Sequence, residues 1–208
     1  MQPIHPQRRT VIASLLALGA LSPAWAQGRE WRPLKSPVPT DAPAGKIEVV
    51  EFFWYGCPHC FSLEPVLRDW RKTLAADVQF RKVHVPWQVQ AHQQLFVTLD
   101  VMGEAERLND KVFSAIHTER NKLDQPEAMA DLVARNGVDR KRFLETYASF
   151  GVKSKMQRAT QLAAAYELDG VPALGVAGRF LTAPSMAGGN ERALRVVDQL
   201  VAQVRKGG

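Results

Sequence analysis

The chain holds only two cysteines, Cys57 and Cys60, in the stretch Phe52-Phe53-Trp54-Tyr55-Gly56-Cys57-Pro58-His59-Cys60-Phe61. Two cysteines separated by two residues can form and break a disulfide, which is redox chemistry. The residues around them say where they sit. A run of Val, Phe and aromatics leads into Gly56, and Pro58 suits the first position of a helix, where its missing N–H costs nothing. Cys57 then occupies the N-cap, with its sulfur facing the free backbone N–H groups of His59 and Cys60 at the positive end of the helix dipole. Such a place favours thiolate, the reactive form of cysteine.

Other uses of a Cys-x-x-Cys pair fit less well. A structural zinc site normally takes four ligands, and no second cysteine pair exists; His59, His84 and His92 match no common zinc spacing. Covalent haem attachment needs His directly after the second cysteine, where this chain has Phe61. A purely structural disulfide closing so short a loop would add little stability.

The elements that must hold this pair follow from patterning. Residues 1–26 read as a cleavable export signal: Arg8 and Arg9, an apolar stretch from Val11 to Leu21, then Ala24-Trp25-Ala26. The Arg8-Arg9 pair also admits a twin-arginine signal. Export places the cysteines in an oxidising compartment, where a disulfide persists. The formal net charge of +6 loses Arg8 and Arg9 with the signal. The remaining basic residues are scattered, without a stripe or stacking aromatics, so nucleic acid is not an expected partner. A Pro-rich arm, Arg32 to Pro43, precedes the first regular element.

Lys46 to Tyr55 is apolar on both faces, as a central strand covered on both sides reads. Glu51 is its anomaly, and must be paired, be protonated or reach solvent. The helix from Pro58 carries Phe61, Leu63, Val66, Leu67, Trp70 and Leu74, mostly on one apolar face, with Pro65 expected to kink it. In the next strand, Val78 to Val85, alternation puts Phe80, Lys82 and His84 on one face. Lys82 is therefore a candidate partner for Glu51. From about Gln88 to Phe150 the pattern is helical, with Leu95, Phe96 and Leu99, then Leu108, Val112, Phe113 and Ile116, then Phe143, Leu144, Tyr147 and Phe150 as apolar stripes. His92 and His117 are expected on surfaces. A helix over Val152 to Leu168 precedes a short strand from Val171-Pro172, a turn at Ala177-Gly178, and a last amphipathic helix opened by Asn190 or Glu191. Crossover helices imply parallel pairing of the early strands, and the hairpin an antiparallel edge.

These pieces together resemble the DsbA family of periplasmic thiol:disulfide oxidoreductases. The likeness runs from about Lys46 to the C-terminus and rests on Glu51-Phe52-Phe53, Cys57-Pro58-His59-Cys60, Lys82-Val83-His84-Val85, Gly170-Val171-Pro172-Ala173 and Pro65. It implies an α/β, thioredoxin-like fold: residues 27–87 and 151–208 form the thioredoxin-like domain, with 88–150 as an inserted helical domain. It implies a catalytic Cys57 and Cys60, with Pro58 and His59 between them marking a strong oxidant. It further implies a cis Pro172 against the disulfide, with Val171 offering backbone to substrate, and Glu51, Lys82 and Glu64 as charged groups beneath the site. No cofactor or metal is implied beyond the Cys57–Cys60 disulfide. The implied partners are reduced, unfolded exported proteins and a quinone-linked, DsbB-like membrane oxidase, and a monomer is expected. The chain departs from the family in Ala177 at the hairpin turn and in Trp54-Tyr55-Gly56 before the cysteines. A disulfide isomerase, a periplasmic reductant and a metal carrier remain alternative uses of the same pair.

Overall fold

The elements follow the chain's apolar patterning, and a computed structural model describes them over residues 29–207. The export signal expected at 1–26 lies outside the described residues. Strand β1 (Trp31–Pro33) overlaps the start of the Pro-rich arm, where composition suggests none. It pairs antiparallel along an edge, a place where Pro33 lacks an N–H at no cost. Next come β2 (Ile47–Phe53), helix α1 (Pro58–Arg71) and β3 (Val78–His84). Four helices follow: α2 (Gln90–Val101), α3 (Ala105–His117), α4 (Pro126–Arg135) and α5 (Arg140–Tyr147). The chain then forms α6 (Phe150–Ala165), β4 (Ala173–Val176), β5 (Phe180–Thr182), the single turn α7 (Pro184–Ala187) and α8 (Asn190–Lys206).

The five strands form one mixed sheet in the order β1-β5-β4-β2-β3. β2 and β3 run parallel, as a helical crossover demands, while β4 is antiparallel to β2 and β5 antiparallel to β4. The hairpin is thus antiparallel but does not form the sheet's edge, because β1 covers β5. Its turn places Ala177 and Gly178 at φ 53° and 63°, so alanine occupies a left-handed position that glycine or asparagine would hold with less strain.

Side-chain alternation along β2 divides the core. Val49 enters a cluster with Leu63, Leu67 and Trp70 of α1 and Leu194, Val197 and Leu200 of α8. Val50 and Phe52, on the opposite face, meet Tyr166 and Ala163 at the end of α6. Phe53, at the carboxyl end of β2, joins a third cluster built mainly from α2 to α5: Leu95, Leu99, Val112, Phe113, Met129 and Phe143. Tyr55, Cys57 and Cys60 belong to this third cluster. The redox pair therefore sits where the sheet's end meets the helices that follow β3. Phe150 does not join the stripe expected of it and is 85% exposed. Ser149 caps a new helix there, its Oγ accepting the Val152 N–H at 3.3 Å, so Phe150 opens α6 instead of extending α5.

Candidate active site

The polypeptide leaves β2 at Phe53 and reaches α1 through one tight turn, closed by the Cys57 N–H donating to the Trp54 carbonyl at 3.0 Å. A Cβ on Gly56 would fall into the Trp54 indole, so glycine is what lets the turn close under that ring. Cys57 is the N-cap of α1 and Pro58 its first residue. Pro58 and His59 are exposed, whereas Cys57 is only 6% exposed and Cys60 fully buried. Both cysteines are free thiols in this structure.

The two sulfurs sit in opposed electrostatic settings. Cys57 Sγ accepts the Cys60 backbone N–H at 3.4 Å. The Cys60 thiol, the backbone N–H groups of Cys60 and His59, and the charge of His59 together hold the Cys57 thiol down to about 6, against the opposing effect of burial. Burial pushes the Cys60 thiol far up, and the neighbouring Cys57 and Glu51 push in the same direction. At neutral pH the pair is therefore one thiolate and one thiol, with the thiolate on Cys57.

Beneath Cys60 lies a buried charge cluster. The parallel register sets Glu51 of β2 opposite Lys82 of β3, and Lys82 Nζ stands 3.2 Å from Glu51 Oε2. Lys82 Nζ also pairs with Glu64 of α1, whose other oxygen accepts from Asn109 Nδ2 of α3 at 2.7 Å. The rings of Phe53 and Phe113 flank the ammonium at 4.5 and 5.7 Å. Neither Glu51 oxygen has a hydrogen-bond partner among the described residues, and the carboxyl meets Lys82 as an ion pair. Desolvation raises the Glu51 carboxyl to about 7, offset in part by Lys82. Lys82 stays charged despite its burial, because two carboxylates hold it so. Glu51 is thus paired and does not reach solvent.

A third element closes the site from the opposite side. The Val171–Pro172 peptide is cis and lies just before β4. The carbonyl oxygen of Val171 stands 3.5 Å from Cys57 Sγ. The structure thus brings Cys57, Cys60, Val171 and Pro172 together at one end of the sheet, with Glu51, Lys82 and Glu64 below.

Several further residues at the site were given no role by the sequence. His84 is buried and accepts the Tyr55 N–H at Nε2, 3.1 Å away, while its Nδ1 donates to the Val85 carbonyl at 2.9 Å. His117 Nε2 donates to the Tyr55 carbonyl at 2.7 Å, and Asn109 completes the charge cluster. Neither His92 nor His117 is the free surface residue expected: His92 is 3% exposed and stacks on Trp54, and His117 is part-buried against Phe61. The one available signal was the spacing Asn109, Phe113, His117, which lines one face of a helix at i, i+4 and i+8.

Known proteins resemble this chain over most of its length. The profile of the family described as DSBA-like thioredoxin domain matches residues 67–201. The thiol:disulfide interchange protein DsbA of Pseudomonas aeruginosa is 44% identical over 200 residues, covering 93% of this chain and 92% of that protein. Its namesake in Azotobacter vinelandii is 45% identical over 201 residues, covering 92% of each. The crystal structure of Pseudomonas aeruginosa DsbA superposes with a TM-score of 0.82, covering 86% of this chain and 94% of that one.

Proposed function

Because the chain belongs to the DSBA-like thioredoxin family and is a protein disulfide oxidoreductase, we propose that it works in the oxidising direction, donating its Cys57–Cys60 disulfide to newly exported proteins. The observation that carries this reading is the contrast between the two sulfurs: Cys57 held down to about 6 and Cys60 pushed far above its ordinary value. A stabilised Cys57 thiolate favours the reduced enzyme and is a good leaving group, so the pair draws electrons from its substrates.

The steps balance as two thiol–disulfide exchanges. A substrate thiolate attacks Cys57 Sγ of the oxidised enzyme, forming a mixed disulfide and releasing Cys60 Sγ, which takes up a proton. A second substrate thiolate then attacks the substrate sulfur of that mixed disulfide and releases Cys57 as thiolate. The substrate gains a disulfide and the enzyme carries two more electrons. Cys57 is the sulfur attacked because it stands at the surface end of the pair, between exposed Pro58 and His59 and the Val171 carbonyl. Val171 and Pro172 border the place where a substrate backbone would lie extended. Glu51, titrating near neutrality, limits the negative charge that accumulates next to Cys60, while Lys82 and Glu64 tune that carboxyl.

Turnover then requires reoxidation, which we assign to a quinone-linked membrane oxidase of the DsbB type, with the Cys57–Cys60 disulfide as the only redox group on this chain. Residues 1–26 serve in this reading as a cleavable signal that delivers a monomer to the periplasm. Residues 27–87 and 151–208 make the thioredoxin-like domain, and 88–150 the inserted helical domain. The test is oxidative refolding of a reduced, disulfide-containing protein by the mature chain. Refolding should accelerate with the wild type and cease with Cys57→Ser, while Cys60→Ser should accumulate mixed disulfides. Unchanged acceleration with Cys57→Ser would overturn the assignment.

A further inference from the structure

The turn that presents Cys57 is held by a histidine from each side. Tyr55 is its second residue, fully buried, and both of its backbone polar groups are taken by imidazoles. Its N–H donates to His84 Nε2 at 3.1 Å, and its carbonyl lies 2.7 Å from His117 Nε2. A carbonyl can only accept, so His117 must carry its proton on Nε2. His84 is the last residue of β3, the edge strand beside β2. His117 is the last residue of α3, among the helices that follow β3. Its ring lies flat against Phe61, with centroids 4.9 Å apart and planes 6° from parallel, and stacks on Phe113 at 6.0 Å. Phe61 directly follows Cys60, so the stack ties the end of α3 to the start of α1. The ion pairs Arg68–Asp110 at 2.9 Å and Arg71–Glu106 at 2.7 Å join the same two helices further along.

Building on the oxidant reading above, we propose that His117 is a positioning residue for the redox pair: through the Tyr55 carbonyl it holds the Trp54–Cys57 turn where Cys57 Sγ meets the Cys60 N–H. The Sγ···H–N separation is 3.4 Å, and a hydrogen bond to sulfur weakens quickly as its donor moves off line. Without His117, only the His84 side of the Tyr55 peptide stays fixed, and a buried carbonyl loses its partner. The turn then drifts and the Cys57 thiolate loses amide contacts. The charged and titratable groups facing Cys57 (His59, Cys60 and Glu51 behind it) are untouched by such a change. His117 acts through the backbone and does not meet the reacting sulfur.

The test is the ultraviolet absorbance of the Cys57 thiolate, followed against pH in reduced protein, with the equilibrium against glutathione measured alongside. Three variants divide the roles of the ring. His117→Gln keeps an N–H donor near the place of Nε2, His117→Phe keeps the aromatic stack without a donor, and His117→Ala keeps neither. We expect the thiolate midpoint to rise by about one pH unit in the Phe and Ala variants, with about a tenfold loss of oxidising strength, and the Gln variant to match wild type. A change in overall stability alone would not move this midpoint, and thermal melts confirm that each variant is folded. Wild-type midpoints in the Phe and Ala variants would overturn the inference. So would an equal rise in Gln, Phe and Ala, which would assign the effect to the imidazole's charge. A wild-type Cys57 titrating at its ordinary value would instead overturn the reading of the pair on which the inference rests.

Discussion

Lys82 shows most clearly how single residues at this site depend on one another. Its ammonium stands between Glu51 and Glu64 with 9% of its side chain exposed, and it is the cation that holds both carboxylates in the interior. Removing one partner of a buried charge set leaves uncompensated charge, typically costing about 3–5 kcal/mol. Lys82→Met is therefore expected to lower stability by that order at neutral pH, measured by denaturant unfolding. The loss should shrink on acidification. Without the lysine, the folded-state pKa of Glu51, already about 7 beside it, rises further above its unfolded value, so its favourable contribution exists at low pH and is lost as pH rises through the folded value. A deficit that stays constant between pH 4 and pH 8 would show that Lys82 does not offset buried charge. Strand alternation made Lys82 a candidate partner for Glu51, and the family resemblance set Glu64 with them, but patterning alone did not give the convergence of all three. It depends on the parallel register of two strands and on the buried face of α1. Asn109, the fourth member, arrives from α3 with no motif of its own.

At the scale of elements, β4 has to pass close to α6 to bring Val171 and Pro172 against Cys57. Gly175 is where the close approach occurs: a Cβ there would fall into the Tyr166 ring and stand 2.8 Å from Val50 Cγ1. Gly175→Ala is expected to destabilise the fold by about 1–3 kcal/mol through overpacking, read as a lower denaturation midpoint. An unchanged midpoint would mean that α6 yields freely and does not fix β4. The long apolar elements could be read from periodicity because their partners matter little to it. Thus β2, with its two apolar faces, and α8, with one, are where patterning puts them. Elements decided by their neighbours could not be read so. β1 exists because β5 offers it an edge, Phe150 is exposed because Ser149 starts a new helix, and α7 is a single turn. Ala177 adopts its left-handed backbone because the hairpin requires it.

For the whole molecule, a thiolate stabilised only in the fold links redox state to stability. The Cys57 thiol is held at about 6 in the folded, reduced protein against an ordinary value of 9.0. The lowered folded value stabilises the reduced form fully above the unfolded value, and this gain is lost as pH falls through about 6. Over that gap it is worth a few kcal/mol, of which about a third remains at pH 7. The reduced protein should therefore melt higher than the oxidised one at neutral and alkaline pH, with the difference closing towards pH 5. His59→Pro should narrow the difference by removing one source of positive charge near Cys57. Equal melting temperatures at pH 8 would contradict a stabilised thiolate.

The central claim is that the Cys57–Cys60 pair is an oxidant, and its equilibrium with glutathione tests this most directly. The purified mature protein is incubated in buffers of graded reduced and oxidised glutathione at pH 7, and the fraction of Cys57–Cys60 disulfide is quantified after acid quenching. The predicted result is a pair more oxidising than glutathione, converted to the dithiol even where most of the glutathione is oxidised. A disulfide that persists in excess reduced glutathione would contradict the account and mark the pair as a reductant or a structural bridge.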